Sequence, residues 1–301
     1  MSFIDKALKK AKDERKGAAA GQASATPVGP LPEVSPPLAG SEITTGEIRY
    51  TTTRTVPVRM EYLQRHRIIA GSDDNLVREE YKILRTHILQ CTQAEQKNTL
   101  MITGPLPGEG KTLTAINLAI SLSHEVNKTV LLVDADLRYP SVHSYFGLPI
   151  GPGLVDYLSG NASLSSLLVH PQGFDKLVIL PGGRPAAGGA ELIGSPMMRN
   201  LVKELKHFYP DRYVLFDLPP LLSFADPLAF APFVDGIILV VEKGKTPRDG
   251  IRKSVEALKG FPVLGLVLNK AEERDHECYS YYPHKANGRP GKKGILDWIK
   301  S

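Results

Sequence analysis

Cysteine is scarce in this chain: Cys91 and Cys278 are the only two among 301 residues. They offer no framework of paired spacings, which excludes a disulfide scaffold and points to a reducing cytoplasm. Cys278 has His276 and His284 near it, but a structural zinc site usually takes four ligands, and three on a polar tail do not make one. Long apolar runs are missing too. None approaches the ~20 residues that a membrane-spanning helix needs, and residues 1–16 lack the apolar core of a secretory signal. The expectation is a protein of the cytoplasm, at most peripheral at the inner face of the cell membrane. The formal net charge of +5 is unevenly spread: Lys6, Lys9, Lys10, Lys12, Arg15 and Lys16 crowd the start, and Lys285, Arg289, Lys292, Lys293 and Lys300 crowd the end. Such ends suit anionic lipid, nucleic acid or an acidic partner protein, and charge alone does not choose among them.

Bulky side chains are nearly absent from residues 18–40, which are mostly Ala, Gly, Ser and Pro and cannot bury enough surface to fold. This stretch reads as a tether. Ahead of it, Phe3, Ile4, Ala7, Leu8 and Ala11 fall on one helical face among lysines, with Ser2 as N-cap, so residues 1–17 read as an amphipathic basic helix for a partner, a bilayer or the chain's own body. Residues 41–62 are Thr-rich with some apolar alternation and suit a short strand or an extended arm, within a linker assigned to 18–60. The folded domain is assigned to 61–272. There, apolar strand-like runs at 99–103, 129–133, 177–180, 213–216, 236–241 and 263–268 alternate with stretches of helical spacing at 112–125, 153–169, 191–208 and 247–259. That alternation predicts an α/β fold, a mostly parallel sheet with helices on both faces. Residues 181–189 (PGGRPAAGG) read as a loop, and 273–301 as a basic tail that carries Tyr279, Tyr281 and Tyr282 and ends in a helical turn around Trp298.

Two short stretches carry the chemistry. The first is GPLPGEGKT at residues 104–112, between a buried strand and a helix. A glycine-rich loop in that place turns successive backbone N–H groups toward one point, where the helix dipole also favours negative charge. Lys111 then reaches phosphate and the Thr112 hydroxyl suits Mg²⁺. The loop departs from the strict GxxxxGK[ST] pattern, because Pro105 stands where the first glycine belongs and Gly104 is the nearest. The second stretch is VLLVDADLR at 130–138, which places Asp134 and Asp136 at the carboxyl end of a strand, on the edge where α/β sheets bind ligands. Carboxylates beside a phosphate loop suit Mg²⁺ and a proton acceptor. Asp217, ending the apolar run at 213–216, supplies a third.

These residues resemble the bacterial tyrosine kinases of capsule and exopolysaccharide gene clusters, including soluble autokinases of that group, which share the P-loop NTPase fold with chromosome-partitioning ATPases. The carriers are GPLPGEGKT, VLLVDADLRYP, VLFDLPP, DGIILVVEKGKT at 235–246 and VLGLVLNK at 263–270. Partitioning ATPases carry an extra lysine where Leu106 stands, which disfavours a nucleic-acid role. The resemblance implies ATP and Mg²⁺: Gly108, Glu109, Gly110, Lys111, Thr112, Leu113 and Asn269 for the nucleotide, with Asn269 on adenine; Thr112, Asp134 and Asp217 for the metal; Lys111, Asp134 and Asp136 for catalysis, with Asp136 as base. Arg138 is implied to steady the phosphates or the neighbouring loop. It further implies that Tyr279, Tyr281 and Tyr282 are autophosphorylated, that Glu79, Lys82 and Arg85 join subunits into a homo-oligomer, and that a separate membrane chain-length determinant, the polysaccharide co-polymerase, activates the enzyme. Lys82 stands where the family usually has arginine, and Leu218 where it commonly has Ser or Thr. The expected function is a Mg²⁺-ATP-dependent tyrosine autokinase regulating exopolysaccharide synthesis and export; the alternative is a regulatory ATPase that acts as a nucleotide-gated scaffold and transfers nothing to tyrosine.

Overall fold

Strands that are apolar at every position need cover on both faces, because successive side chains point to opposite sides. The computed structural model, which describes residues 53–71, 75–208 and 211–271, meets that demand with one sheet between two helical layers. Its strands are β1 (Arg54–Val56), β2 (Thr99–Thr103), β3 (Thr129–Asp134), β4 (Val169–Pro171), β5 (Leu177–Leu180), β6 (Arg212–Asp217), β7 (Gly236–Glu242) and β8 (Val263–Asn269), in the spatial order β1-β4-β5-β3-β6-β2-β7-β8. The pairing is parallel throughout except between β4 and β5.

The alternation divides the core. Met101, Leu131, Val133, Val214, Phe216, Ile237 and Leu239 face one side, while Leu100, Ile102, Val130, Leu132, Leu215, Ile238 and Val240 face the other. Four longer helices cover the strands: α1 (Asn75–Thr92), α2 (Lys111–Ser123), α3 (Pro196–Phe208) and α4 (Arg248–Ala257). On the first side Met198, Leu201, Val202 and Leu205 of α3 pack down; on the second, Ala115, Ile116, Leu118, Ala119, Ile120 and Leu122 make α2 apolar almost all round, as befits a helix between the sheet and α1. Asn117, buried in that helix, receives the Ile69 N–H at 3.0 Å and donates to the Arg67 carbonyl at 3.2 Å, so the segment before α1 is fastened through its backbone.

All six expected strands are present, and two expectations are corrected. The stretch 153–169 is not one helix: Leu154–Leu158 stops before Gly160, whose φ of +74° ends it, a second turn runs over Leu164–Leu167, and Val169 opens β4. The stretch 191–208 breaks after Gly189–Ile193, because Gly194 and Ser195 intervene and Pro196 starts α3, where its missing N–H costs nothing. Of the two alternatives for 41–62, a short strand is present as β1, and a helix follows at Met60–Arg65. The basic start, the tether and the tyrosine tail lie outside the described residues.

Phe216 is fully buried and packs edge-on to Phe230 at 4.8 Å between ring centroids. Phe216→Ala is expected to cost about 3–5 kcal/mol, read as a lower urea midpoint with an unchanged slope.

Candidate active site

The site forms at the carboxyl ends of β3, β6 and β2. The loop after β2 is shaped by three glycines for separate reasons. A Cβ on Gly104 would lie 2.2 Å from the Val240 carbonyl oxygen, so the loop's first residue passes against β7 with no room for a side chain. Gly108 and Gly110 have φ of +81° and +89°, the left-handed region that only glycine enters freely, and Gly110 caps α2. Glu109, 2% exposed, holds the loop from inside: one carboxylate oxygen accepts the Leu106 N–H at 2.8 Å, the other the Thr246 hydroxyl at 2.7 Å. Its side chain is therefore structural, and its backbone is what a phosphate can use. The Lys111 ammonium donates to the Leu106 carbonyl at 2.6 Å across the loop. Burial lowers its pKa, against the raising pull of Glu109, Asp217 and Asp136.

β3 and β6 end in register, Asp134 opposite Asp217. Asp134 is fully buried; one of its oxygens accepts the Ser141 and Val142 N–H groups at 2.9 and 3.0 Å, and Oδ1 has no partner. Asp217, 1% exposed, bonds the Thr112 side chain, and its Oδ1 is likewise without a partner. Burial pushes Asp134 up to about 7, and drives Asp217 well above the carboxylate range with Asp134 adding to it. Two buried oxygens left open on adjacent strands, next to a hydroxyl at the start of a helix, form the hard donor set of a small divalent cation. The residues fit Mg²⁺.

Asp136 stands one turn on and is only partly buried. Its Oδ1 accepts the Arg138 and Tyr139 N–H groups at 3.2 and 3.0 Å, leaving Oδ2 for an incoming proton. Burial raises its pKa, while those two backbone bonds pull it down. Arg138 turns away from the phosphate loop. Its Nε lies 3.2 and 3.1 Å from the two oxygens of Asp226, its Nη2 bonds one of them at 3.1 Å, and its guanidinium covers the Phe224 ring at 4.7 Å. Of the two expected roles, the geometry gives Arg138 the one on the neighbouring loop.

At the other end, Asn269 donates to the Glu109 carbonyl at 2.8 Å, and Lys270 donates to the Gly108 carbonyl at 2.8 Å while pairing with Glu242 at 3.0 Å. Leu113 is partly buried against the α2 face of the core. Thus Gly108, Glu109, Gly110, Lys111, Thr112, Asp134, Asp136, Asp217 and Asn269 share one sheet edge. Glu79, Lys82 and Arg85 lie on α1, away from it. Glu79 and Lys82 pair with each other at 2.5 Å in solvent, whereas Arg85 turns inward to the Ser121 carbonyl at 2.9 Å and to Glu125 at 2.8 Å. Sequence reasoning missed Asp226, Phe224 and Thr246. No spacing links Asp226 to Arg138, 88 positions away.

Residues 100–284 match the family described as the CobQ/CobB/MinD/ParA nucleotide binding domain, CbiA. Tyrosine-protein kinase YwqD of Bacillus subtilis is 36% identical over 227 residues, covering 75% of this chain and 94% of that protein. The chain belongs to the bacterial tyrosine-kinase branch of that family. The succinoglycan biosynthesis transport protein ExoP of Rhizobium meliloti is 33% identical over 252 residues, 80% of this chain but 31% of that longer protein. Among solved structures, the kinase domain of the Escherichia coli tyrosine kinase ETK superposes with a TM-score of 0.61 at 27% identity, covering 70% of this chain and 80% of that one.

The raised carboxylates make stability fall with pH when metal is absent. Asp134 has an ordinary value of 3.8 and is pushed to about 7, so between those values the folded chain holds more protons than the unfolded one. The stabilisation is complete below about pH 4 and lost as pH rises through about 7. The metal-free melting temperature should drop across that window, and Asp134→Asn should flatten the drop. Mg²⁺ should raise the melting temperature more at pH 8 than at pH 5, because protons compete with it for the same oxygens.

Proposed function

We propose that this chain is a Mg²⁺-ATP-dependent protein-tyrosine autokinase that regulates exopolysaccharide or capsule synthesis and export. The reading rests most on the open oxygens of Asp134 and Asp217 at the mouth of the phosphate loop, with Asp136 beside them, held at Oδ1 by two backbone N–H groups. The backbone N–H groups of Gly108, Glu109, Gly110, Lys111, Thr112 and Leu113 and the Lys111 ammonium receive the phosphates. Asn269, released from the Glu109 carbonyl, recognises adenine. Thr112, Asp134 and Asp217 hold Mg²⁺, whose chemistry is to neutralise charge on the transferring phosphate. The acceptor phenol loses its proton to Asp136 Oδ2 as its oxygen bonds the γ-phosphorus, and the bond from that phosphorus to the β–γ bridging oxygen breaks with its electron pair leaving on ADP. Lys111 has to leave the Leu106 carbonyl to reach phosphate, and the low cost of losing one neutral acceptor makes that exchange easy.

The acceptors are Tyr279, Tyr281 and Tyr282 of the tail. The partner is a membrane chain-length determinant; among the described residues no helix is long and apolar enough to cross a membrane. Peripheral contact falls to the basic residues at 1–17, and homo-oligomer formation to α1. One observation sustains the regulatory-ATPase reading: Leu218, 1% exposed, puts no hydroxyl after Asp217.

Intact-mass and tail-peptide analysis after incubation with Mg²⁺-ATP separates the two. A kinase carries phosphate on the tail tyrosines of wild type and none in Lys111→Met, and Asp136→Asn slows transfer by roughly 10²–10⁴-fold with nucleotide binding retained. ATP hydrolysis with an unmodified tail, in the presence of the membrane partner's cytoplasmic region, would select the scaffold ATPase instead.

A further inference from the structure

The chemistry is laid out along the sheet edge in strand order. Asn269 ends β8, the phosphate loop follows β2, and the paired aspartates end β6 and β3. With four steps from β8 to β3, the base-recognising end lies roughly 19 Å from the β3 turn. Whatever occupies the space beyond β3 is therefore not adenine. That space has an aromatic lip. Tyr139 is 70% exposed, and its backbone N–H is one of the two that fix Asp136. Its ring meets Phe224 at 6.5 Å with a 53° tilt, and Phe224 is braced from behind by the Arg138 guanidinium, itself locked on fully buried Asp226. Leu222, 39% exposed, lies two residues before Phe224. A large aromatic ring left in solvent on so rigid a mount, within the turn that carries the proton acceptor, is placed to receive another ring.

We propose that Tyr139 and Phe224 form the acceptor subsite, on which the ring of a tail tyrosine from residues 279–282 stacks so that its hydroxyl meets Asp136. The assignment rests on the kinase reading and goes beyond it by naming what selects the acceptor. Two features favour the chain's own tail as occupant. Its tyrosines follow an acidic run, Glu272, Glu273, Asp275 and Glu277, and the exposed Arg184 stands on the loop that the Ala186 N–H fastens to the Leu137 carbonyl at 2.9 Å, beside the same turn. The described chain stops at residue 271 and Tyr279 comes eight residues later, a reach of roughly 26 Å that spans the distance from β8 to the lip.

The test uses the full chain with Tyr279→Ala, Tyr281→Ala and Tyr282→Ala, so that its own tail does not compete, and a labelled synthetic peptide of residues 271–284. Peptide affinity is measured by anisotropy with Mg²⁺ and a non-hydrolysable ATP analogue, and peptide phosphorylation with Mg²⁺-ATP. Adding Tyr139→Ala should weaken peptide binding and raise the peptide KM by roughly five- to tenfold, with kcat within about twofold. Tyr139→Phe should restore both, which a role for the hydroxyl or for its modification would not allow. A peptide with leucine at the three tyrosine positions should bind wild-type Tyr139 as weakly as the native peptide binds the alanine variant. An unchanged affinity and KM in Tyr139→Ala, or failure of Tyr139→Phe to rescue, overturns the subsite even where phosphate is transferred. Tyr139-dependent binding without any transfer upholds the subsite and removes the kinase reading.

Discussion

Two carboxylates buried side by side at the ends of paired strands are the constraint to which the rest of the site answers. Asp134 and Asp217 are in register on β3 and β6, both out of solvent, and each keeps an oxygen with no partner. Placing two such groups together costs free energy in proportion to the charge they carry, and the fold lowers that cost in two ways. It lets each keep a proton to a higher pH than an ordinary carboxylate does, and it directs two backbone N–H groups at the second oxygen of Asp134 and a threonine hydroxyl at Asp217. A divalent cation at the open oxygens would offset the rest. The apolar sheet beneath is the mount: with every strand position near the site packed on one face or the other, neither carboxylate can move away from the other without opening the core.

The phosphate loop answers to a different constraint, that of holding a strained, glycine-bearing segment still without filling the space a ligand needs. Glu109 does this from inside by bonding both Leu106 and Thr246, while Asn269 and Lys270 fasten the loop's outer carbonyls to the end of β8. These last two residues immediately precede the tail. Lys270 itself has φ of +58°, uncommon for a residue with a side chain, so the chain leaves the sheet through a turn fixed on the loop.

Much of this was legible in the sequence, and the part that was not has a common cause. Unbroken apolar runs gave the parallel strands, since nothing else buries TLMIT and VLLV on both faces. Lys111, Thr112, Asp134, Asp136 and Asp217 were readable because each lies within a residue or two of a strand end or a helix start, where position along the chain fixes position in space. The misread helices failed where apolar spacing continued through Gly160 or through Gly194 and Pro196, and local backbone geometry overrode the pattern. Asp226, Phe224 and Thr246 were invisible for another reason: their roles depend on contacts between loops of different strands, which no local spacing encodes. Arg85 shows the same limit in reverse. Its spacing from Glu79 and Lys82 placed it on a shared face, yet within the single chain its side chain turns to the α2 terminus while theirs pair in solvent.

The departure at Leu218 has a physical reading in the same terms. A hydroxyl after the β6 aspartate would have to be satisfied in a place that is 1% exposed and packed within the core facing α3. Here the side chain is apolar and joins that core, and the strand end is fastened by others: the Leu218 N–H donates to the Ile102 carbonyl at 3.0 Å, and the Thr103 hydroxyl on β2 donates to the Pro219 carbonyl at 2.7 Å. The hydroxyl that steadies the segment after Asp217 thus comes from the neighbouring strand rather than from the next residue. Because Thr103 is the last residue of β2, that bond also links the β6 turn to the root of the phosphate loop, so the segment after Asp217 and the loop are held by one contact. A leucine at 218 is then compatible with a rigid Asp217.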